Sequence, residues 1–267
     1  MNPMIHFRTR NVVMKYLEIF FTKVIIALKE NKEYKANLWN ALITNVVSFL
    51  VILLFFSALS PLLGEILGWS FRDYILYISM LLLLGKVHMV FTLKFLQRVL
   101  LNGDFNTILL KPVNSFFYFS TQFKGVVLVT FSIFLLINLF LIFFYYNFSF
   151  IFLFYFLFSI IYVPLFFSFF ISTAFFMKEN SMFVNIPRQL NNRIKEFTPR
   201  SFENYSFEFL LYILPSGASA FILIEILRGN FIYLNIILKV VFPSFLLIVL
   251  GIYVMWKIGL KKYEAFG

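Results

Sequence analysis

Few residues of this chain are of a type that makes or breaks bonds, and none is grouped as such chemistry requires. The two imidazoles, His6 and His88, lie far apart in sequence, so neither has a second histidine nearby with which to hold a metal or relay a proton. There is no cysteine, which excludes disulfides, thiol nucleophiles and thiolate metal sites. No G-x-x-x-x-G-K-[ST] segment is present to cradle nucleotide phosphates, and the Gly85-Lys86 pair lacks the upstream glycine. Neither a G-x-S-x-G elbow nor an H-E-x-x-H zinc helix occurs. Glu225 and Lys239 are the charges nearest to the interior of apolar runs, and both are expected at the outer ends of those runs. No catalytic residue is expected, and no cofactor or metal bound by this chain.

One polar stretch, residues 94–118 (KFLQRVLLNGDFNTILLKPVNSFFY), interrupts long apolar runs on both sides. Gly103 permits a tight turn, Asp104 is placed to cap a short helix, and Pro112 ends it. Thr107, Ile108, Leu109 and Leu110 then form an apolar knob with Lys111 as its charged edge. An apolar patch on a loop usually wants a partner.

The rest of the chain must position that stretch, and its composition says in what medium. Of 267 residues, 61% are hydrophobic and only 13% charged, against about a quarter charged in soluble domains. Several apolar runs reach the ~18–20 residues needed to cross a bilayer core of about 30 Å. They do not alternate as barrel strands do. The expectation is an all-α polytopic membrane protein forming a single transmembrane domain over 1–267. Its candidate spans are 38–59, 71–90, 126–146, 150–177, 208–227 and 231–256. Residues 11–30 show apolar positions at three- and four-residue steps (Val13, Tyr16, Leu17, Phe20, Val24, Ala27), with Lys15, Glu18 and Thr22 on the other face. That pattern predicts an amphipathic helix lying along the membrane surface. The second span is expected to run on as an amphipathic extension to Leu101. Pro215-Ser216-Gly217 invites a kink or a re-entrant turn.

The net charge is +11. With no nucleic-acid-binding fold to support that partner, the excess reads as Lys and Arg retaining loops in the cytosol. With six spans and an inside N-terminus, 20 of the 23 Lys and Arg residues fall on the cytosolic side. Both termini and the 94–118 stretch are therefore expected in the cytosol. Residues 181–205 leave two courses open, because they carry four basic residues and two prolines. They either form a polar, pore-lining span or stay cytosolic. The cost of burying four cations favours the cytosolic course.

Three local segments, in register with this plan, carry a family resemblance. The first is Gly103-Asp104 followed by Leu109-Leu110-Lys111-Pro112-Val113-Asn114. The second is Ile213-Leu214-Pro215, continuing to Glu225-Ile226-Leu227-Arg228-Gly229. The third is the ending Gly259-Leu260-Lys261-Lys262-Tyr263-Glu264-Ala265-Phe266-Gly267. With them the chain resembles the permease subunits of bacterial type-2 ABC exporters, in the six-span branch without a fused ATPase. The resemblance implies a transmembrane subunit in the bacterial cytoplasmic (inner) membrane. It would pair with a second permease chain, identical or related, and dock on separate cytosolic ABC ATPase subunits that hold the ATP and magnesium. It also implies that 102–114 is the coupling helix, with Gly103, Asp104, Thr107, Leu109, Leu110, Lys111 and Pro112 meeting the ATPase. The N-terminal amphipathic helix becomes an elbow helix, and the run around Pro215 a re-entrant region. The substrate-binding residues stay unassigned. The alternatives are a stand-alone ion-coupled carrier or channel, against which the lack of intramembrane carboxylates counts, and a structural membrane partner without transport.

Overall fold

A computed structural model describes residues 12–91, 93, 95–146, 149–177, 181–194 and 212–264. These residues form helices and turns, with no strand among them. Helix α1 (Val12–Glu33) is followed, after a break at Tyr34, by α2 (Lys35–Leu67) and then α3 (Phe71–Phe91). Three short helices come next: α4 (Leu96–Leu101), α5 (Phe105–Leu109) and α6 (Ser115–Ser120). α4 ends at Leu101, where the extension of the second span is expected to end; residues 92 and 94, between α3 and α4, lie outside the described ones. Helices α7 (Gly125–Tyr145) and α8 (Phe150–Ser172) each pack on α3, and α9 (Ser181–Ile194) and α10 (Pro215–Leu227) follow. The chain closes with α11 (Phe242–Glu264), entered through a 3-10 turn and a π-helical turn at Ile237–Val241.

Among the described residues, five helical stretches are long and apolar enough to cross a membrane. They are Lys35–Phe55, Phe71–Leu101, Gly125–Tyr145, Phe150–Phe175 and Phe231–Tyr263. α10 is apolar but has 13 residues, about 20 Å at ~1.5 Å per residue. Residues 208–211 of the expected fifth span lie outside the described ones. The chain is an all-α polytopic membrane protein.

α10 is the centre of the body. Pro215 sits at its first position, where the missing N–H costs nothing. All 13 of its residues are buried against α3 and α8. Polar contacts fix its neighbours from inside the apolar mass. Tyr162 on α8 donates to the Ile213 carbonyl (2.7 Å) and lies 3.1 Å from the Ser244 hydroxyl on α11. Ser79 on α3 donates to Asn138 Oδ1 on α7 at 2.8 Å, and Asn138 Nδ2 donates to the Phe134 carbonyl. Such pairs matter in lipid, where an unmet polar group has no water to turn to.

α9 covers the first part of the stretch whose course the sequence left open. It packs along α8 and reaches the start of α10. There the buried Asn191 accepts from Ser216 N–H (3.2 Å), and its Nδ2 donates to Ser216 Oγ (3.3 Å). The charge argument weighed four cations against burial. Of residues 181–191, Val184, Pro187 and Asn191 turn inward, while Arg188 stays exposed. Residues 195–205 of that stretch lie outside the described ones.

At the far end of α10 a charged knot closes the turn between α2 and α3. Glu225 is fully buried. Its carboxylate accepts from Trp69 Nε1 (2.6 Å), Arg228 Nη1 (3.2 Å) and Asn230 Nδ2 (2.7 Å). Arg228 also donates to the Gly68 carbonyl (2.7 Å) and lies 3.7 Å from Asp73. Asp73 accepts from Ser70 N, Ser70 Oγ and Tyr146. Glu225→Ala strands the Trp69 and Asn230 donors, and breaking a buried pair of this kind costs about 3–5 kcal/mol. Glu225→Gln keeps one acceptor but sets an amide donor against Asn230. Thermal unfolding of the detergent-solubilised chain is expected to rank wild type above Gln above Ala. Equal midpoints would show that the knot does not hold α10.

Candidate functional site

Residues 95–118 fold as a compact platform at the end of the body opposite that knot. Its base is a buried ring. Phe105, the first residue of α5, is fully buried. It stacks on Phe119 of α6 (5.8 Å between centroids) and meets the edges of Phe175, beyond α8, and Tyr263 of α11 (5.7 and 4.9 Å). Ile108, one turn on, is also buried, and Leu93, Leu96, Ile171, Ala174 and Trp256 complete the cluster. The expected apolar knob is therefore divided. Ile108 serves the core, Leu109 is half-buried against it, and Leu110 stands 86% exposed.

The remaining site residues take their places around α5. Gly103 has φ +75 and makes the turn from α4, a conformation open to glycine and costly for most side chains. Its carbonyl accepts from Tyr263 OH at 3.4 Å. Asp104 is exposed and makes no capping bond, because its own backbone is already helical (φ −68, ψ −7) rather than extended as a capping carboxylate requires. Thr107 instead donates to the Asp104 carbonyl at 2.7 Å. The helix ends at Leu109, three residues before Pro112. Asn114, not among the expected site residues, is the capping residue. Its Oδ1 accepts from Phe116 N (2.9 Å) and Phe117 N (3.2 Å) to start α6.

α1 lies across the loop and holds it. Lys15 donates to the Pro112 carbonyl (2.8 Å), Tyr16 OH accepts from Asn114 N (3.2 Å), and the Tyr16 and Phe117 rings meet edge-on at 4.8 Å. Lys23 donates to the Tyr118 carbonyl and Thr121 Oγ1, both at 2.9 Å. The Lys23 and Lys111 ammoniums sit 4.0 and 4.3 Å from the centroid of the same Tyr118 ring, and Lys111 donates to its hydroxyl (2.9 Å). Burial pushes the Lys23 ammonium down to about 8, with the Lys111 charge acting in the same direction. On the other side Trp256 Nε1 of α11 donates to Ser115 Oγ at 3.1 Å.

The sequence singled out the loop residues but not Phe105, Tyr118, Trp256 or the bonding roles of Lys15 and Lys23. Phe105 and Ile108 share a face at i, i+3, the one local sign that α5 has an inner side. The histidine flagged in the apolar run, His88, is buried with its ring 3.8 Å from that of Phe167. Among the described residues no three His, Asp or Glu side chains gather as metal ligands.

A multi-pass helical body bearing a seated loop of this kind has the build of a transporter's membrane subunit. A family model for the ABC-2 family transporter proteins matches residues 42–267, and the chain belongs to that family. It is a transmembrane subunit of an ABC transporter. No curated protein and no solved structure matches the chain.

Two outcomes are expected. A methyl placed on Gly125, the first residue of α7, overlaps the Ala27 carbonyl and the Asn31 side chain of α1. Gly125→Val should therefore cost about 1–3 kcal/mol, as overpacking does, seen as a lower unfolding midpoint and as faster proteolysis of α1. A wild-type midpoint would refute the contact. For Lys23, the folded chain holds fewer protons than the unfolded chain between about 8 and 10.5, so stability rises with pH across that window. The unfolding midpoint of wild type relative to Lys23→Met should rise from pH 8 to pH 10, modestly, since water reaches the group. A fall would contradict the assignment.

Proposed function

We propose that this chain is the membrane half of an ATP-driven exporter in the bacterial cytoplasmic membrane. In this reading it pairs with a second permease chain and rests on separate cytosolic ATPase subunits through the loop from Gly103 to Pro112. The observation that carries the reading is Leu110. It is 86% exposed, directly after a five-residue helix whose inner face is locked into the body by Phe105 and Ile108. A large apolar side chain held rigidly outward is what a protein groove accepts.

The platform lies among Lys15, Lys23, Lys111, Lys257, Lys261 and Lys262, as the cytosolic side of a membrane protein would. Both termini belong on that side. ATP and magnesium belong to the ATPase, whose closure would press on α5. The platform has three fixed attachments through which that displacement can enter the body. Trp256 and Tyr263 lead into α11, Phe175 leads to the end of α8, and Lys15, Tyr16 and Lys23 lead into α1. The spans would then rock around a path at the interface between the two permease chains.

Leu110→Asp tests this with little risk to the fold, because the side chain is exposed; Leu109 is half-buried and a poorer choice. Removing a buried apolar anchor should weaken binding of a co-expressed partner ATPase about ten- to a hundredfold. Membrane insertion and the unfolding midpoint should stay as in wild type. Undiminished co-purification of the ATPase would overturn the reading.

A further inference from the structure

We infer that the groove between α2 and α7 seats an acyl chain of an anionic phospholipid whose headgroup is held at Lys35. The inference rests on the membrane-spanning body alone and not on the exporter reading.

Both helices are among those long and apolar enough to cross a membrane. Between them lies a groove of about 160 Å³, walled by Leu42, Val46 and Phe49 of α2 and by Ile133, Phe134 and Ile137 of α7. A space of that size admits a six-carbon apolar molecule. Asn45 and Thr130 also line it, but each turns its donor onto its own helix. Asn45 Nδ2 bonds the Ala41 carbonyl (2.6 Å) and Thr130 Oγ1 the Val126 carbonyl (3.0 Å). Thr130 and Phe134 are buried at the floor, whereas Val46, Ile133 and Ile137 are exposed at the rim. The groove therefore opens sideways, toward lipid.

Its depth matches one leaflet. Leu42 and Phe49 lie about 10 and 21 Å beyond Lys35 at ~1.5 Å per residue, and Ile133 and Ile137 about 12 and 18 Å beyond Gly125. The two starting points share a level, because Asn31, one helical turn before Lys35, lies against Gly125. A bilayer of about 40–45 Å, headgroups included, gives each leaflet about 20 Å.

The charge sits on the same face. Leu42, Val46 and Phe49 follow Lys35 at steps of seven, four and three residues, so Lys35 heads the stripe of α2 that lines the groove. It is exposed, and among the described residues no carboxylate pairs with it. On the preceding turns Glu30 and Glu33 are matched in number by Lys29 and Lys32, which leaves Lys35 as the charge in excess. Trp39, one turn beyond Lys35 and 63% exposed, stands between charge and groove, where an indole favours the headgroup boundary. A phospholipid has the same order along its length: charge, polar boundary, hydrocarbon. An anionic headgroup meets the ammonium, while a zwitterionic one brings a cation of its own to the same place.

Of the three tryptophans, Trp69 and Trp256 are buried and Trp39 is exposed, so bromine carried on lipid chains quenches mainly Trp39. The full chain is reconstituted in phosphatidylcholine vesicles, and chain-brominated phosphatidylglycerol or chain-brominated phosphatidylcholine is titrated in. Phosphatidylglycerol should quench at an about tenfold lower fraction, the scale of one charge-assisted contact. The preference should fall below about twofold in Lys35→Gln. It should fall as far in Ile133→Phe/Ile137→Phe, which fills the groove from α7 and leaves the charge in place. All three replaced side chains are exposed, so the fold is not at risk. The inference is overturned by equal quenching with both lipids or by a preference that survives either change. It is also overturned if Trp39 is shielded from both lipids, which would mean that a second copy of the chain covers the groove.

Discussion

The loop platform depends on the burial of one ring. Phe105 has no solvent exposure, and the three aromatic rings that enclose it come from α6, from the residues after α8 and from the end of α11. A five-residue helix cannot hold itself together, since nucleating a helix costs more than one turn returns. α5 exists because Phe105 and Ile108 are captured by elements that are far away in sequence. The same capture decides which side of α5 is left outside. Leu110 is left outside because Phe105 and Ile108 are turned in.

In the body the governing constraint is different. Aromatic and aliphatic side chains pack without strong direction, and 61% of the chain is hydrophobic. The few polar groups therefore set the register. Ser79 and Asn138 tie α3 to α7. Tyr162 ties α8 to the approach to α10 and to α11, and Glu225 ties α10 to the turn before α3. α10 has 13 residues, too few to cross alone, and it is held at both ends: Ser216 meets Asn191, and Glu225 meets Trp69 and Asn230. A short helix wholly inside the body has no headgroup region to anchor it, so side-chain bonds at its two ends fix its depth.

What the sequence disclosed follows from the range of each interaction. Long apolar runs are written locally, and so are the turn at Gly103 and the amphipathic period of α1; Pro215-Ser216-Gly217 reads as a kink or re-entrant turn within a longer run, and Pro215 is where α10 starts. The division of Ile108 from Leu110 was not readable, since all members of the tetrad after Thr107 are apolar and only the distant Phe119, Tyr263 and Trp256 choose between them. Asp104 has the right type for a cap, yet the turn at Gly103 leaves its backbone helical, and Asn114 caps a different helix. For α9 a count of charges carries no direction. Arg188 can be exposed while Val184, Pro187 and Asn191 are covered. The Glu225 knot joins residues about 156 positions apart, which no local pattern reveals.

Where α1 crosses the start of α7, Gly125 admits no side chain between the two backbones, and Ala27 is buried against it. The Ala27 carbonyl and the Asn31 side chain of α1 lie directly over the glycine. The lysines that hold the loop therefore ride on a helix that is itself keyed to the first turn of α7, and a displacement of one is carried to the other.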